Sequence, residues 1–200
     1  MNSVGEKNNG NDMILNEKQM HWFDSHKHWG VVTIVIHWLS ALLIFGLFSL
    51  GLWMVELDYY DTWYRKAPDL HKSIGILLFV LTIGRLVWRR SNSIPEALGS
   101  HNSRERRIAE ATHYSLYILL LTIMLSGYLI STADGHAIVV FNWLAIPATI
   151  YGIDMQEDIA GIVHLWLAVS LISLVVLHAM AALKHHFFDR DQTLKRMFGL

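Results

Sequence analysis

Long apolar segments alternate with short polar segments along this chain. Four apolar runs, at 31–55, 70–88, 113–133 and 159–183, each have the length that a helix needs to cross a bilayer, whose hydrocarbon core is roughly 30 Å thick. The pattern therefore predicts an all-α fold, a bundle of four transmembrane helices. The composition agrees with a small membrane domain, at 53% hydrophobic and 16% charged residues.

The polar segments divide the rest of the chain. Residues 1–20 are polar and rich in asparagine, and residues 21–29 mix aromatic and basic side chains, as a segment at a membrane surface does. We therefore assign residues 1–30 to a flexible tail with an interfacial segment and residues 31–200 to the membrane domain. Residues 137–150 are too short for a fifth span and are predicted to form a partly buried outer loop or a short interfacial helix. A last short amphipathic helix is predicted at 192–198, capped by Asp191.

Basic residues indicate the orientation of the bundle. They concentrate in the amino-terminal segment, in the 89–112 connection and in the carboxy-terminal tail, whereas the 56–69 connection holds only Arg65 and Lys66 and the 134–158 connection holds none. The positive-inside rule then places both termini in the cytoplasm. The two outer connections are rich in Asp and Glu, which argues against nucleic acid as a partner.

Histidines inside the apolar runs are the candidate functional residues. His164 and His178 lie 14 residues apart in a run with no Asp, Glu, Lys or Arg, so on a helix they share one face and are separated by about 21 Å along the axis. His37 and His71 stand near the starts of two other runs. With alternating helix directions, the pairs that match in depth are His37 with His178 and His71 with His164.

Paired histidines at two depths are what two stacked haems would need as metal ligands, each iron between two imidazoles. Ionisable residues within a membrane usually serve a pathway or a cofactor. The chain contains no cysteine, so thiolate ligation and covalent c-type attachment are excluded, and the predicted cofactor is non-covalent haem b, two per chain. Hydrogen bonding between helices is the alternative role for these histidines.

Further polar residues lie near the predicted inner site. His113 begins the third apolar run and can replace His37 as a ligand, bind a propionate or a quinone, or cap the helix. Arg85 follows His71 by 14 residues and is predicted to pair with a haem propionate or to extend to the cytoplasmic surface. His185 and His186 lie past the fourth run and are expected to be solvated or interfacial.

At these residues the chain resembles the bacterial cytochrome b561 family of four-helix inner-membrane dihaem cytochromes. The matching stretches are Ile36-His37-Trp38, LHKSIG at 70–75, GYLISTADG at 127–135, His164 with His178, and AALKHHFFDRDQTLKRM at 181–197. The resemblance implies location in the bacterial inner membrane, haem b ligation by His37, His71, His164 and His178, and electron exchange with membrane quinone.

The sequence thus predicts a carrier that moves single electrons across the bilayer between membrane quinone or quinol and a redox partner, such as a periplasmic protein, on the outer side. One alternative is a superoxide:quinone oxidoreductase that uses the same haems, because some relatives of this family oxidise superoxide. The other alternative is a haem-free transporter lined by histidines. Two imidazoles per iron leave no open coordination position, which favours electron transfer over oxygen binding.

Overall fold

Four long helices dominate the computed structural model, which describes residues 22–26, 28–96 and 103–200. Most of the predicted flexible tail, with His21, lies outside the described residues, as does His101 in the 89–112 connection. The long helices are α1 (Val31–Met54), α2 (Lys66–Ser91), α3 (Ser103–Thr132) and α4 (Gln156–Phe187), and a short helix α5 (Thr193–Arg196) follows. All four long helices have the length and apolar character of membrane spans, which confirms the prediction of four.

The helices extend beyond the apolar runs into polar sequence. Helix α3 begins at Ser103, ten residues before the run that predicted it. The chain has three prolines, and none interrupts a helix interior. Pro68 lies in the first turn of α2, where a backbone N–H has no intrahelical acceptor, whereas Pro95 and Pro147 lie in connections.

Helix α1 packs mainly against α2, and α3 packs mainly against α4. We call the end of the bundle at which α1 and α3 begin and α2 and α4 end the tail end, and the opposite end the hairpin end. Large apolar side chains cover the outside of the bundle, for example Leu42 at 69% exposure and Trp166 at 66%. In water such a surface would be an association patch, and in a bilayer it is the face that contacts lipid.

Residues 137–150 form a β-hairpin, and no interfacial helix is present there. Strands β1 (Ile138–Val140) and β2 (Leu144–Ile146) pair antiparallel, with Val139 opposite Ala145. The turn places Phe141 and Asn142 at positive φ, 48° and 58°, which is the conformation of a tight hairpin turn. The backbone N–H of Phe141 donates to Ser73 Oγ on α2 at 3.0 Å, so the hairpin is fixed against the start of that helix.

The chain on either side of the helices folds back onto the tail end. Asp24 accepts hydrogen bonds from the Gly30 N–H and the Thr33 hydroxyl at 2.6 and 2.7 Å. The Trp38 indole donates to the Met197 carbonyl at 2.8 Å, which fixes the segment that contains α5. The last helix is shorter than the predicted 192–198, and its N-cap is Gln192 rather than Asp191. Asp191 lies one residue earlier and accepts a hydrogen bond from the Thr193 N–H at 2.8 Å.

Candidate functional site

Each long helix contributes three residues spaced seven apart to the bundle interior. Seven residues are almost two full helical turns and rise about 10.5 Å, so the spacing keeps all three on one face. The residues form three layers. The tail-end layer is His37, Arg85, His113 and His178; the middle layer is Ile44, Leu78, Leu120 and Leu171; the hairpin-end layer is Gly51, His71, Gly127 and His164.

The hairpin-end layer brings together His71 of α2 and His164 of α4. Their ring centroids are 6.2 Å apart and the ring planes are inclined by 68°. Nδ1 of His71 is buried and has no hydrogen-bond partner in the described part of the chain. The structure therefore places these two predicted residues at one depth, as the sequence predicted.

Hydrogen bonds define the tautomer of His164. Its Nδ1 lies 3.1 Å from the carbonyl oxygen of Ile123 and 3.0 Å from Ser126 Oγ. A carbonyl oxygen can only accept, so Nδ1 carries the proton and donates it. Nε2 of the neutral ring is then unprotonated and available to a metal, with its orientation fixed by groups behind the ligand.

Glycines stand behind both histidines of this layer. A Cβ at position 51 would lie 3.3 Å from Cε1 of His71, and a Cβ at position 127 would lie 3.2 Å from Cε1 of His164. Both distances are tighter than an ordinary van der Waals contact. The absence of a side chain at Gly51 and Gly127 therefore makes room for the two imidazoles.

The tail-end layer contains His37, His113 and His178. The ring centroids of His37 and His178 are 6.3 Å apart, whereas those of His113 and His178 are 5.4 Å apart. His113 lies ten residues after the first residue of α3. Capping of the helix, one of the roles predicted for His113, is therefore wrong, because His113 belongs to the helix interior.

Arg85 lies among these histidines and does not extend to the polar surface. Its Nη2 donates to Nδ1 of His37 at 2.9 Å, and its guanidinium carbon lies 5.7 Å from the centre of the Tyr117 ring. In the described ranges, no Asp or Glu forms an ion pair with it. The tail-end layer therefore contains a partly buried cation that no carboxylate of the described residues neutralises.

Leucines separate the two polar layers. Leu78, Leu120 and Leu171 are almost fully buried and contact one another, and Ile44 packs against them. Buried hydroxyls nearby bond to their own helix, as Thr82 does with the Leu78 carbonyl at 2.7 Å. The interior thus has two polar levels divided by an apolar one.

The histidine spacings can be compared with those of an iron held by two imidazoles. With metal–nitrogen bonds of about 2 Å on opposite sides, the ring centroids stand about 6.3 Å apart. The spacings of 6.3 Å for His37 with His178 and 6.2 Å for His71 with His164 fit this requirement, and the 5.4 Å of His113 with His178 does not.

Binding of iron also requires an unprotonated ring nitrogen on each histidine. At the hairpin end, His164 meets this requirement, because its proton is on Nδ1 and its Nε2 is unprotonated. At the tail end, the bond from Arg85 makes Nδ1 of His37 an acceptor, so neutral His37 carries its proton on Nε2. Coordination through Nε2 therefore requires that proton to leave or the Arg85 contact to change.

Some residues of these layers were not predicted from the sequence. Gly51 and Gly127 stand 14 residues after His37 and His113, the same interval that separates His164 from His178. That interval is the signal that would have found them. Ser126 gives no such signal, because its contact with His164 depends on how α3 packs against α4.

Of the two positions expected for His185, solvated or interfacial, the structure excludes the solvated one. Its side chain is 18% exposed, and its Nδ1 lies 2.7 Å from Asp189 Oδ2. The Asp189 carboxylate also accepts from Lys184 at 2.7 Å, and the Lys184 ammonium holds the pKa of Asp189 below its usual range. These charges form a cluster at the carboxy-terminal end of α4.

Four membrane helices with histidines paired at two depths, and no cysteine, define a membrane-embedded cytochrome of b type. Residues 28–200 match the family described as prokaryotic cytochrome b561, and the chain belongs to that family. Membership implies b-type haem and transmembrane electron transfer in a multi-pass bacterial membrane protein. The haem-free transporter of the sequence analysis does not agree with it.

Three relatives illustrate the likeness. The chain is 51% identical over 180 residues to cytochrome b561 homolog 2 of Escherichia coli (strain K12), a match that covers 90% of this chain and 96% of that protein. It is 28% identical over 177 residues to the probable superoxide oxidase CybB of Yersinia pestis, covering 86% and 96%. It is 25% identical over 167 residues to cytochrome b561 homolog 1 of Escherichia coli (strain K12), covering 82% and 93%.

Proposed function

We propose that this chain binds two haems b, one between His37 and His178 and the other between His71 and His164. The observation that carries the proposal is the spacing of 6.3 and 6.2 Å in these two pairs, which matches an iron held between two imidazoles. His113 is then a neighbour of the tail-end haem rather than its ligand. Arg85 is available to a haem propionate, because it is a cation without a carboxylate partner in the described residues.

The bound haems would supply reversible one-electron oxidation and reduction of iron. The chain orients the histidine ligands and excludes water from the interior of the bundle. His71 and His164 are oriented by the space at Gly51 and Gly127, and His164 is also oriented by its hydrogen bonds to Ile123 and Ser126. The leucines of the middle layer keep water and ions out of the space between the two levels. Electrons, but no hydrated solute, can therefore pass from one end of the bundle to the other.

We infer that the electrons pass between membrane quinone or quinol and a redox partner at the hairpin end. Basic residues surround the tail end, which supports an orientation in the inner membrane with both termini in the cytoplasm and the hairpin end in the periplasm. Residues 31–200 then form the cytochrome domain, and residues 1–30 form the cytoplasmic tail. A periplasmic redox protein would approach the hairpin end.

Quinone exchange is assigned to the tail end. A quinone needs hydrogen-bonding and proton-exchanging groups close to a haem, and the tail end offers His113, His185 and Arg85 there. An imidazole has one nitrogen that can donate and one that can accept a hydrogen bond, so it can hold a quinone oxygen and pass a proton to or from it. The competing position is the hairpin end, where the Trp143 side chain is 94% exposed and apolar surface surrounds it.

Superoxide oxidation is the second candidate function. The observation that favours it is the likeness to a Yersinia pestis protein named as a probable superoxide oxidase. The connections at the hairpin end oppose it, because their eight acids outnumber the bases and repel an anionic substrate. The acids are Glu56, Asp58, Asp61, Asp69, Asp134, Asp154, Glu157 and Asp158. Haem reduction by superoxide in the purified protein, with no other protein present, would support this second function.

Haem quantification tests the ligation scheme. Acid-acetone extraction of the purified full chain, followed by a pyridine haemochrome assay, is expected to give two haem equivalents. His71→Ala and His164→Ala should each lose the hairpin-end haem and keep the other, while His37→Ala and His178→Ala should do the reverse. A single equivalent in the unmodified protein would refute the scheme.

A further inference from the structure

We propose that the β-hairpin at 138–146 is inserted in the lipid leaflet at the hairpin end of the bundle. Its turn and its outer face then contact headgroups and acyl chains, and the partner of this surface is the bilayer rather than a soluble protein. The proposal does not depend on which histidines bind haem.

Ser73 sets the depth of the hairpin turn. Its Oγ accepts a hydrogen bond from the Phe141 N–H at 3.0 Å, so the turn lies at the height of Ser73 on α2. Ser73 comes seven residues after Lys66, the first residue of α2, and therefore lies about 10.5 Å along the helix axis from the end of the bundle. The turn thus lies beside a membrane span and not beyond its end.

The thickness of the bilayer places this level in lipid. The two histidine layers are 14 residues apart, or about 21 Å along a helix, whereas the hydrocarbon core is roughly 30 Å thick. A bundle centred in the bilayer therefore has both layers within the hydrocarbon. Ser73 lies two residues past His71 toward the middle layer, so the turn reaches at least the boundary between headgroups and acyl chains.

The hairpin also has the composition of a segment that contacts lipid. Residues 137–153 contain no Asp, Glu, Lys, Arg or His. Strand β1 packs against α2 with Ile138 and Val140 buried, and Val139 between them faces outward at 49% exposure. A strand with water on its outer face has polar side chains at its outward positions. An apolar outer face at this depth indicates lipid.

Trp143 follows the turn and is 94% exposed, and the apolar side chains of Phe141 and Leu144 beside it are also exposed. Tryptophan is enriched at the boundary between water and lipid, where its ring contacts acyl chains and its indole N–H reaches headgroups. Backbone polar groups at such a depth need partners within the protein. The Trp143 N–H donates to the Val140 carbonyl at 2.9 Å and the Phe141 N–H donates to Ser73.

Thiol alkylation tests the proposal, because the chain has no cysteine and one introduced thiol reports on one position. Trp143→Cys is compared with Tyr60→Cys, a matched control: Tyr60 is 91% exposed at the same end of the bundle, in the acid-containing connection after α1. Each purified full chain, in phosphatidylcholine nanodiscs, is treated with a membrane-impermeant maleimide. Trp143→Cys should react about tenfold or more slowly than Tyr60→Cys, since the thiolate is the reactive form and an apolar surround disfavours it.

A photoreactive lipid identifies what covers the hairpin. Phosphatidylcholine with a diazirine near the headgroup end of one acyl chain is included in nanodiscs of the unmodified protein, and mass spectrometry locates the labelled peptides. Label is expected in residues 137–150 and not in residues 55–65. This measurement needs no variant, so it tests the proposal even if Trp143→Cys does not fold.

Two outcomes would overturn the inference. Equal alkylation rates in the two variants would place the hairpin in water, as a surface for a soluble protein. Slow alkylation of Trp143→Cys without lipid label in 137–150 would mean that a second copy of the chain covers the hairpin. Haem content enters neither measurement, so a single haem equivalent would refute the ligation scheme and leave this inference intact.

Discussion

Gly127 on α3 lies against the imidazole of His164 on α4, so closely that a Cβ at position 127 would stand 3.2 Å from Cε1 of that ring. Gly51 on α1 has the same relationship with His71 on α2, at 3.3 Å. Both histidines of the hairpin-end layer thus have a glycine of a neighbouring helix behind them. At the tail-end layer the corresponding positions on α1 and α3 are His37 and His113.

Alanine at either glycine should therefore disturb the hairpin-end haem alone. We expect Gly127→Ala and Gly51→Ala to push the imidazole out of position, with an overpacking cost of about 1–3 kcal/mol and reduced occupancy of that haem. The measurement is haem content per chain together with the redox titration of both components. The tail-end component should keep its potential.

Gly46→Ala is the matched control, because it makes the same change on α1 where a new Cβ meets no atom within 4 Å. Its haem content should equal that of the unmodified protein. Equal haem content in all three variants would show that the two close glycines do not constrain the histidines.

His113→Ala should retain both haems. The ring of His113 is 5.4 Å from that of His178, too close for an iron between them, whereas His37 stands at 6.3 Å. The pyridine haemochrome assay should therefore give two equivalents for His113→Ala and one for His37→Ala. The reverse result would assign the tail-end ligand to His113.

Quinol reactivity should depend on the tail end. We expect His113→Ala and His185→Ala, in preparations that retain both haems, to slow haem reduction by a quinol analogue about a hundredfold or more, the range in which loss of a proton-transfer group acts. The readout is the stopped-flow rate of reduction. Trp143→Ala at the hairpin end serves as the control and should not change this rate. Slower reduction in Trp143→Ala, with normal rates in both histidine variants, would move the quinone site to the hairpin end.

Acid should loosen the carboxy-terminal segment. The Lys184 ammonium and then the hydrogen bond from His185 hold the pKa of Asp189 below its ordinary value of 3.8. A carboxylate with a depressed pKa in the folded protein stabilises it above the ordinary value, and the stabilisation is lost as the pH falls through the lowered pKa. Hydrogen exchange of the amides of 188–200 should therefore show lower protection factors below that range.

Asp189→Asn should reduce this protection near neutral pH and remove its dependence on acid. Asp134→Asn is the control, since Asp134 lies at the hairpin end and its pKa is also lowered, first by the hydrogen bond from the His136 backbone N–H. It should leave residues 188–200 unchanged. An unaltered acid response in Asp189→Asn would assign it to another group.

The sequence did not predict the β-hairpin at residues 137–150, because its turn lacks the usual residues. A tight hairpin turn usually has Gly or Asn–Gly at its tip, and here the turn is Phe141–Asn142. An apolar residue at positive φ is costly by itself. The cost is offset by a contact remote in sequence, the hydrogen bond from the Phe141 N–H to Ser73 on α2. That hydrogen bond joins residues 68 apart in the sequence, so no local sequence pattern predicts it.

The sequence by itself determined the four spans and the depth of their histidines, because both follow from periodicity along single helices. Apolar length set the helices, and the 14-residue interval set His164 and His178 on one face of α4. Only the tertiary structure determined which residues of neighbouring helices contact each histidine. Arg85 beside His37, Ser126 beside His164 and the two glycines behind the hairpin-end rings all arise between helices, where packing rather than periodicity fixes the distance.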